Sequence, residues 1–201
     1  MDSQPHKLTG HEALVCLTGG IACYKTATLV SRLVQAGCGV SVAMSEAAQR
    51  FVTPLTFASL TGRRTFTGLW DAQDHHDAQH IALTERADLM VIAPATANII
   101  GKIAGGIADD LVSALAMTAT GACPILLAPS MNTRMWESPI VQTNLERLKA
   151  LGFATVGPGE GWLACRTVGA GRMAEPDEIL AAAAELLLAR PPKSASPSRP
   201  V

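Results

Sequence analysis

Short apolar runs and stretches of helical periodicity alternate along the chain. ALVCLT, GVSVAM, ADLMVIAP and PILLAPS have the length and composition of strands, and the first leads into ACYKTATLVSRLVQAG, where apolar residues recur every three or four positions. That is the βαβ pattern of a parallel sheet covered on both faces. It predicts an α/β fold in three layers with a doubly wound parallel sheet in the middle. Val141, Leu145 and Leu148 keep helical spacing across residues 138–151, and Gly152 follows as a stop. Pro176 opens a last helix predicted to run to about Arg190, with Asp177 and Glu178 in its first turn, where negative charge suits the helix dipole.

One stretch needs arbitration. From Leu111 to Thr133 there is no charge, long enough to raise a membrane span of about 20 residues. Gly121 and Pro124 interrupt it, so it reads as a buried helix ending at the glycine, followed by the strand PILLAPS. The opening MDSQPHKLTGHEALV has no basic segment followed by an apolar run, which argues against a signal peptide. Residues 12–190 read as one domain, and 191–201, rich in Pro and Ser, as a disordered tail or the stub of a linker.

Composition narrows the function. A chain of 201 residues suits a single domain, and 16 basic against 17 acidic side chains leave no electrostatic footprint for nucleic acid or an anionic membrane. The five cysteines (Cys16, Cys23, Cys38, Cys123 and Cys165) are odd in number, scattered and never in a CxxC pair. They fit reduced thiols in a cytoplasm better than a disulfide framework or a zinc site, and no metal is expected. Small-molecule chemistry is the better expectation.

The candidate chemistry lies at strand ends. LTGGIACYK closes the first strand, and Gly19 and Gly20 allow a tight turn that presents N–H groups at a helix N-terminus, as a phosphate cradle does; a two-glycine turn also serves as a plain connection. The second strand ends at Ser45, without the acidic residue that would hold an NAD ribose, so a mononucleotide phosphate fits better than a dinucleotide. Beyond the next two strands come Thr96, Ala97 and Asn98, then Ser130, Met131 and Asn132, all expected on the crevice that Gly19 faces. Asn98 and Asn132 also suit helix caps, a role compatible with ligand contact. His80, in DAQHIALTERADL, is the histidine with regular structure around it, since His75 and His76 stand in a polar run. Its residue type suits acid–base work, although isolated histidines more often lie on surfaces or in satisfied core positions. The glycine-studded segment 157–173, GPGEGWLACRTVGAGRM, reads as a connection too long to be idle, hence a lid or binding loop that delivers Cys165.

In order and spacing, these motifs resemble the flavin-containing cysteine decarboxylases, and within them the phosphopantothenoylcysteine decarboxylases of coenzyme A synthesis. The carriers are TGGIACYK, HIAL, APATANIIGKIAGGIADDL, PSMNTRMW and LACRTVGAGRM, spread over roughly residues 12–185. The resemblance implies a Rossmann-like flavoprotein with FMN held by Gly19, Gly20, Ile21, Ser45, Thr96, Ala97, Asn98 and Ser130. It implies His80 as the catalytic histidine, Asn132 as holder of the substrate carboxylate, Ala164 and Met173 as substrate-clamp residues, and Cys165 as the proton donor of a final reduction. The implied substrate is 4′-phosphopantothenoylcysteine, passing through a thioaldehyde and an ene-thiolate to 4′-phosphopantetheine. The implied assembly is a homotrimer or dodecamer in which His80 reaches FMN bound by a neighbouring chain. Two positions depart from the family pattern: Ser130 stands where Ala is usual, and Arg166 where Gly follows the cysteine. The alternatives are a peptidyl-cysteine decarboxylase that releases a C-terminal ene-thiol and has no need of Cys165, a flavin prenyltransferase, and a non-catalytic FMN-binding regulatory subunit.

Overall fold

The computed structural model describes residues 7–69, 79–164 and 166–193. Six strands, β1 (Glu12–Leu17), β2 (Gly39–Met44), β3 (Thr65–Phe66), β4 (Leu89–Ala95), β5 (Ile125–Pro129) and β6 (Ala154–Thr155), pair in parallel in the order β3-β2-β1-β4-β5-β6. The apolar runs fall on the four inner strands. All residues of β4 and β5 are buried, as expected for strands covered on both faces. The outer strands are two residues each and carry too little pattern to be read in advance.

Alternation along the strands divides the core in two. Val15, Leu17, Leu89 and Val91 join Leu29, Leu33, Phe57 and Ile179 on one face, beneath α1 (Cys23–Gln35), α2 (Pro54–Thr61) and α8 (Pro176–Leu188). Leu14, Cys16, Met90 and Ile92 join Ile100, Leu115 and Leu145 on the other, beneath α4 (Ala97–Gly105), α5 (Leu111–Ala119) and α7 (Pro139–Ala150). Two short helices complete the set, α3 (Gln79–Arg86) against α5 and α6 (Thr133–Trp136) after β5.

The uncharged run resolves as expected. Asp110 caps α5 through a capping box with Ser113, Thr120 closes the helix, and Gly121 follows at φ +81° before β5 begins. No helix among the described residues is long and apolar enough to cross a membrane.

The segment 157–173 differs from its expectation as an irregular loop. It forms an antiparallel hairpin of β7 (Gly159–Trp162) and β8 (Val168–Arg172). Its glycines hide the strand alternation, and their purpose is close approach. A Cβ on Gly171 would collide with the Met131 carbonyl, and one on Gly169 would lie 2.5 Å from Thr133 Oγ1. At the turn, Arg166 adopts φ +64°, a left-handed conformation that costs a non-glycine residue about 1 kcal/mol or more and that glycine adopts freely. The departure at position 166 therefore acts on the backbone as well as on bulk and charge. Cys165 lies outside the described residues, as does the tail from 194 onward.

Candidate active site

The strand order reverses between β1 and β4, and ligands of doubly wound sheets collect beyond the carboxyl ends of strands at such a point. A cleft of about 1140 Å³ lies there, lined by residues from the ends of β1, β2, β4 and β5 and from the hairpin.

Each wall has a local cause. Thr18, buried after β1, donates to Pro94 O at 2.6 Å and accepts from Thr96 N–H at 3.3 Å, which fixes the ends of β1 and β4 side by side. Gly19 and Gly20 then turn the chain into α1. A Cβ on Gly19 would lie 2.5 Å from Ala47 Cβ, so glycine lets the turn pass under the segment that follows β2. Among the described residues, the N–H groups of Gly19, Gly20, Ile21 and Ala22 meet no protein acceptor. Ser45 receives Ala48 N–H at 3.3 Å and so shapes the single 3₁₀ turn Ala48–Arg50 beside them.

Thr96, not Asn98, caps α4, accepting Ile99 N–H at 3.4 Å. Asn98 stands in the first turn. Asn132 does cap α6, its Oδ1 accepting from Arg134 N–H at 2.8 Å. The hairpin is fastened to this cap: Met131 N–H donates to Gly171 O at 2.9 Å and Thr133 Oγ1 to Ala170 O at 2.8 Å. The strand that leads into Met173 is thus registered on both sides of Asn132.

The cleft brings together Gly19, Gly20, Ile21, Ser45, Thr96, Ala97, Asn98, Ser130, Asn132, Ala164 and Met173. It does not bring His80 with them. That residue is half-buried at the start of α3, its carbonyl accepting from Thr84 Oγ1 at 2.9 Å, and among the described residues its ring has no hydrogen-bond partner. The Ser130 hydroxyl likewise has none, and it faces the cleft.

Charged residues on the walls escaped the sequence reading. Lys25 is buried in the first turn of α1 and donates to Met173 O at 3.3 Å and Glu175 Oε1 at 2.8 Å. Glu175 also receives Arg172 at 2.8 Å, and the Lys25 hydrogen bond, foremost among these contacts, holds its carboxyl below the usual range. On the opposite wall Lys102 meets Asp109 at 2.7 Å and Asp110 at 2.6 Å, which raises the ammonium's pKa. Lys102 is thus shared by two aspartates, and Glu175 by two cations. The Lys25–Glu175 pair joins residues 150 positions apart, which no local pattern connects.

The walls fit a flavin nucleotide. Four unpaired N–H groups at a helix N-terminus suit a phosphate, and the volume exceeds the roughly 300–1,000 Å³ of ordinary ligand pockets, giving room for a ring system and a substrate together. Residues 1–188 match the Flavoprotein family. The chain belongs to that family. It is 44% identical over 173 residues to the coenzyme A biosynthesis bifunctional protein CoaBC of Bacillus subtilis (strain 168), covering 86% of this chain and 42% of the relative. It is 38% identical over 167 residues to a probable phosphopantothenoylcysteine decarboxylase of Streptococcus mutans serotype c, covering 83% of this chain and 93% of that protein. Among solved structures it resembles a mutant PPC decarboxylase complexed with pantothenoylaminoethenethiol, with a TM-score of 0.78, 28% identity, and coverage of 86% of this chain and 96% of that one. The chain therefore spans less than half of the bifunctional relative and nearly all of the S. mutans one.

Proposed function

We propose that the protein is an FMN-dependent phosphopantothenoylcysteine decarboxylase of coenzyme A biosynthesis, converting 4′-phosphopantothenoylcysteine to 4′-phosphopantetheine. The observation that carries this reading is the convergence of the phosphate turn, the Asn132 cap and the hairpin on one cleft, in a chain that matches nearly the full length of a relative so named. FMN in particular is favoured by the single-phosphate turn and the absence of an acidic side chain at Ser45.

The N–H groups of Gly19 through Ala22 would hold the phosphate, with Thr96, Ala97, Asn98 and Ser130 along the ring. Bound there, FMN would supply the two-electron oxidation that turns the cysteine thiol into an electron sink β to the carboxylate, and the hydride for the closing reduction. Asn132 orients the carboxylate by hydrogen bonding without the ground-state stabilisation that a lysine would add. His80 takes a proton during oxidation, since a free thiol near pKa 8.5 is mostly protonated at neutral pH. Cys165 returns a proton to carbon at the end. His80 lies outside the cleft of its own chain, so this reading needs a neighbouring protomer, as in a homotrimer or a dodecamer built from trimers. The four described cysteines, all free and buried, accord with a cytoplasmic site of action.

A yellow preparation carrying one noncovalent FMN per chain, with mass-spectrometric formation of 4′-phosphopantetheine from 4′-phosphopantothenoylcysteine, is the expected result. A colourless protein that takes up no added FMN overturns the reading. Release of a C-terminal ene-thiol from a cysteinyl peptide, with no turnover of the pantothenoyl substrate, would move the assignment to peptide modification. The shared site has its own test. Inactive His80→Asn chains mixed with inactive Asn132→Asp chains should recover activity as subunits exchange, and demonstrably mixed oligomers that stay inactive exclude a site built from two chains.

A further inference from the structure

After α8 the chain folds back across the opposite end of the sheet from the cleft. Lys193 N–H donates to Asp88 Oδ1 at 2.7 Å, and the other oxygen of the same carboxylate accepts Glu12 N–H at 2.8 Å. One aspartate thus ties the outgoing chain to the start of β1. Upstream, His11 Nε2–H donates to Arg190 O at 3.2 Å. The Lys193 ammonium goes elsewhere, donating to the carbonyls of Thr84 at 3.3 Å and Glu85 at 3.2 Å. Both belong to the last turn of α3, whose carbonyls have no intrahelical donors and whose partial negative charge favours a cation.

The described residues of α3, Gln79–Arg86, pack against α5. Buried Thr84 pins α3 from inside, its hydroxyl donating to His80 O at 2.9 Å and lying 3.3 Å from Thr118 Oγ1 of α5. Thr84 therefore touches both ends of the matter: its carbonyl is held by Lys193 and its hydroxyl by the backbone of His80, one turn away.

We propose that Lys193 and Asp88 are positioning residues for His80, the segment Arg190–Lys193 acting as a strap that sets the seat of α3 and so the place where its first turn presents the imidazole. The proposal rests on the catalytic reading of His80. It also gives the outgoing chain a mechanical route to the reaction: whatever pulls on the residues after Lys193 pulls on α3.

Lys193→Met keeps the aliphatic stem and the main-chain bond to Asp88 but removes the ammonium. In the full holoprotein its kcat should fall on the order of tenfold with KM and FMN affinity unchanged, the size of loss that small misplacements of a reacting group bring. Hydrogen exchange should speed up at α3 amides and not in β1 or β4. Lys193→Arg, which still donates to carbonyls, should recover most of the loss. An unchanged kcat in Lys193→Met, a Lys193→Arg variant no better than Lys193→Met, or equal deprotection of α3 and the central strands would each overturn the strap. Wild-type turnover by His80→Asn alone would instead remove the catalytic reading of that histidine, and α3 exchange would then show whether Lys193 seats the helix at all.

Discussion

Gly19→Ala is expected to leave a folded protein that has lost its flavin. A methyl group at this position would lie 2.5 Å from Ala47 Cβ, closer than Cβ atoms approach, so the turn or the segment after β2 must move. The sheet is not involved: Leu17 and Thr18 hold their bonds to β2 and β4 upstream of the glycine. What moves is the row of N–H groups from Gly19 to Ala22. Hydrogen bonds to a charged acceptor contribute roughly 1.5–3 kcal/mol each, so misaiming two of them weakens binding about 100-fold or more. Titration of apoprotein with FMN, followed by flavin fluorescence, reads this directly, with circular dichroism as the check on folding. If Gly19→Ala binds FMN as tightly as wild type, the phosphate does not sit at this turn, and the two glycines only spare a steric clash.

The inner strands and long helices were legible because their periods are those of the backbone. β4 is apolar without interruption and lies between two layers, whereas α7 keeps Val141, Leu145 and Leu148 on one face and buries them. The hairpin was not legible as strands, since Gly159, Gly161, Gly169 and Gly171 leave no side chains to alternate. Their task is to let β8 lie against Met131 and Thr133, a requirement that becomes visible only when the two segments meet.

Much of the cleft could be named from strand ends alone, because the doubly wound topology places such ends together whatever residues they carry. The charged struts could not. Lys25 lies in the first turn of α1, where a cation opposes the helix dipole, and it is buried only because Glu175 arrives from 150 residues further along the chain. His80 sits at a different kind of boundary. Its motif is plain in the sequence, yet it does not line the cleft of its own chain, so the role proposed for it calls on a neighbouring protomer.

Cys165→Ser should separate loss of carbon dioxide from formation of the saturated product. In the proposed mechanism the earlier steps use Asn132, His80 and the turn at residues 19–22, all of which the variant retains, so carbon dioxide should leave at close to the wild-type rate. The closing reduction differs, because it needs a proton at carbon together with the hydride, and a serine hydroxyl is a far weaker acid than a thiol of pKa about 8.5. General acids of this kind typically contribute about 10²–10⁴-fold, and formation of 4′-phosphopantetheine should fall by that amount. The electrons set the stoichiometry. Without oxygen, each bound FMN can accept one pair, so a single turnover should give one carbon dioxide and one ene-thiol, two hydrogens lighter than 4′-phosphopantetheine, per flavin. With oxygen present to reoxidise the cofactor, the ene-thiol should accumulate. Mass spectrometry of the product under both atmospheres distinguishes the cases. Saturated product formed by the serine variant at a rate near wild type would mean that another group protonates carbon, and the thiol in LACRTVGAGRM would then have no part in the final step.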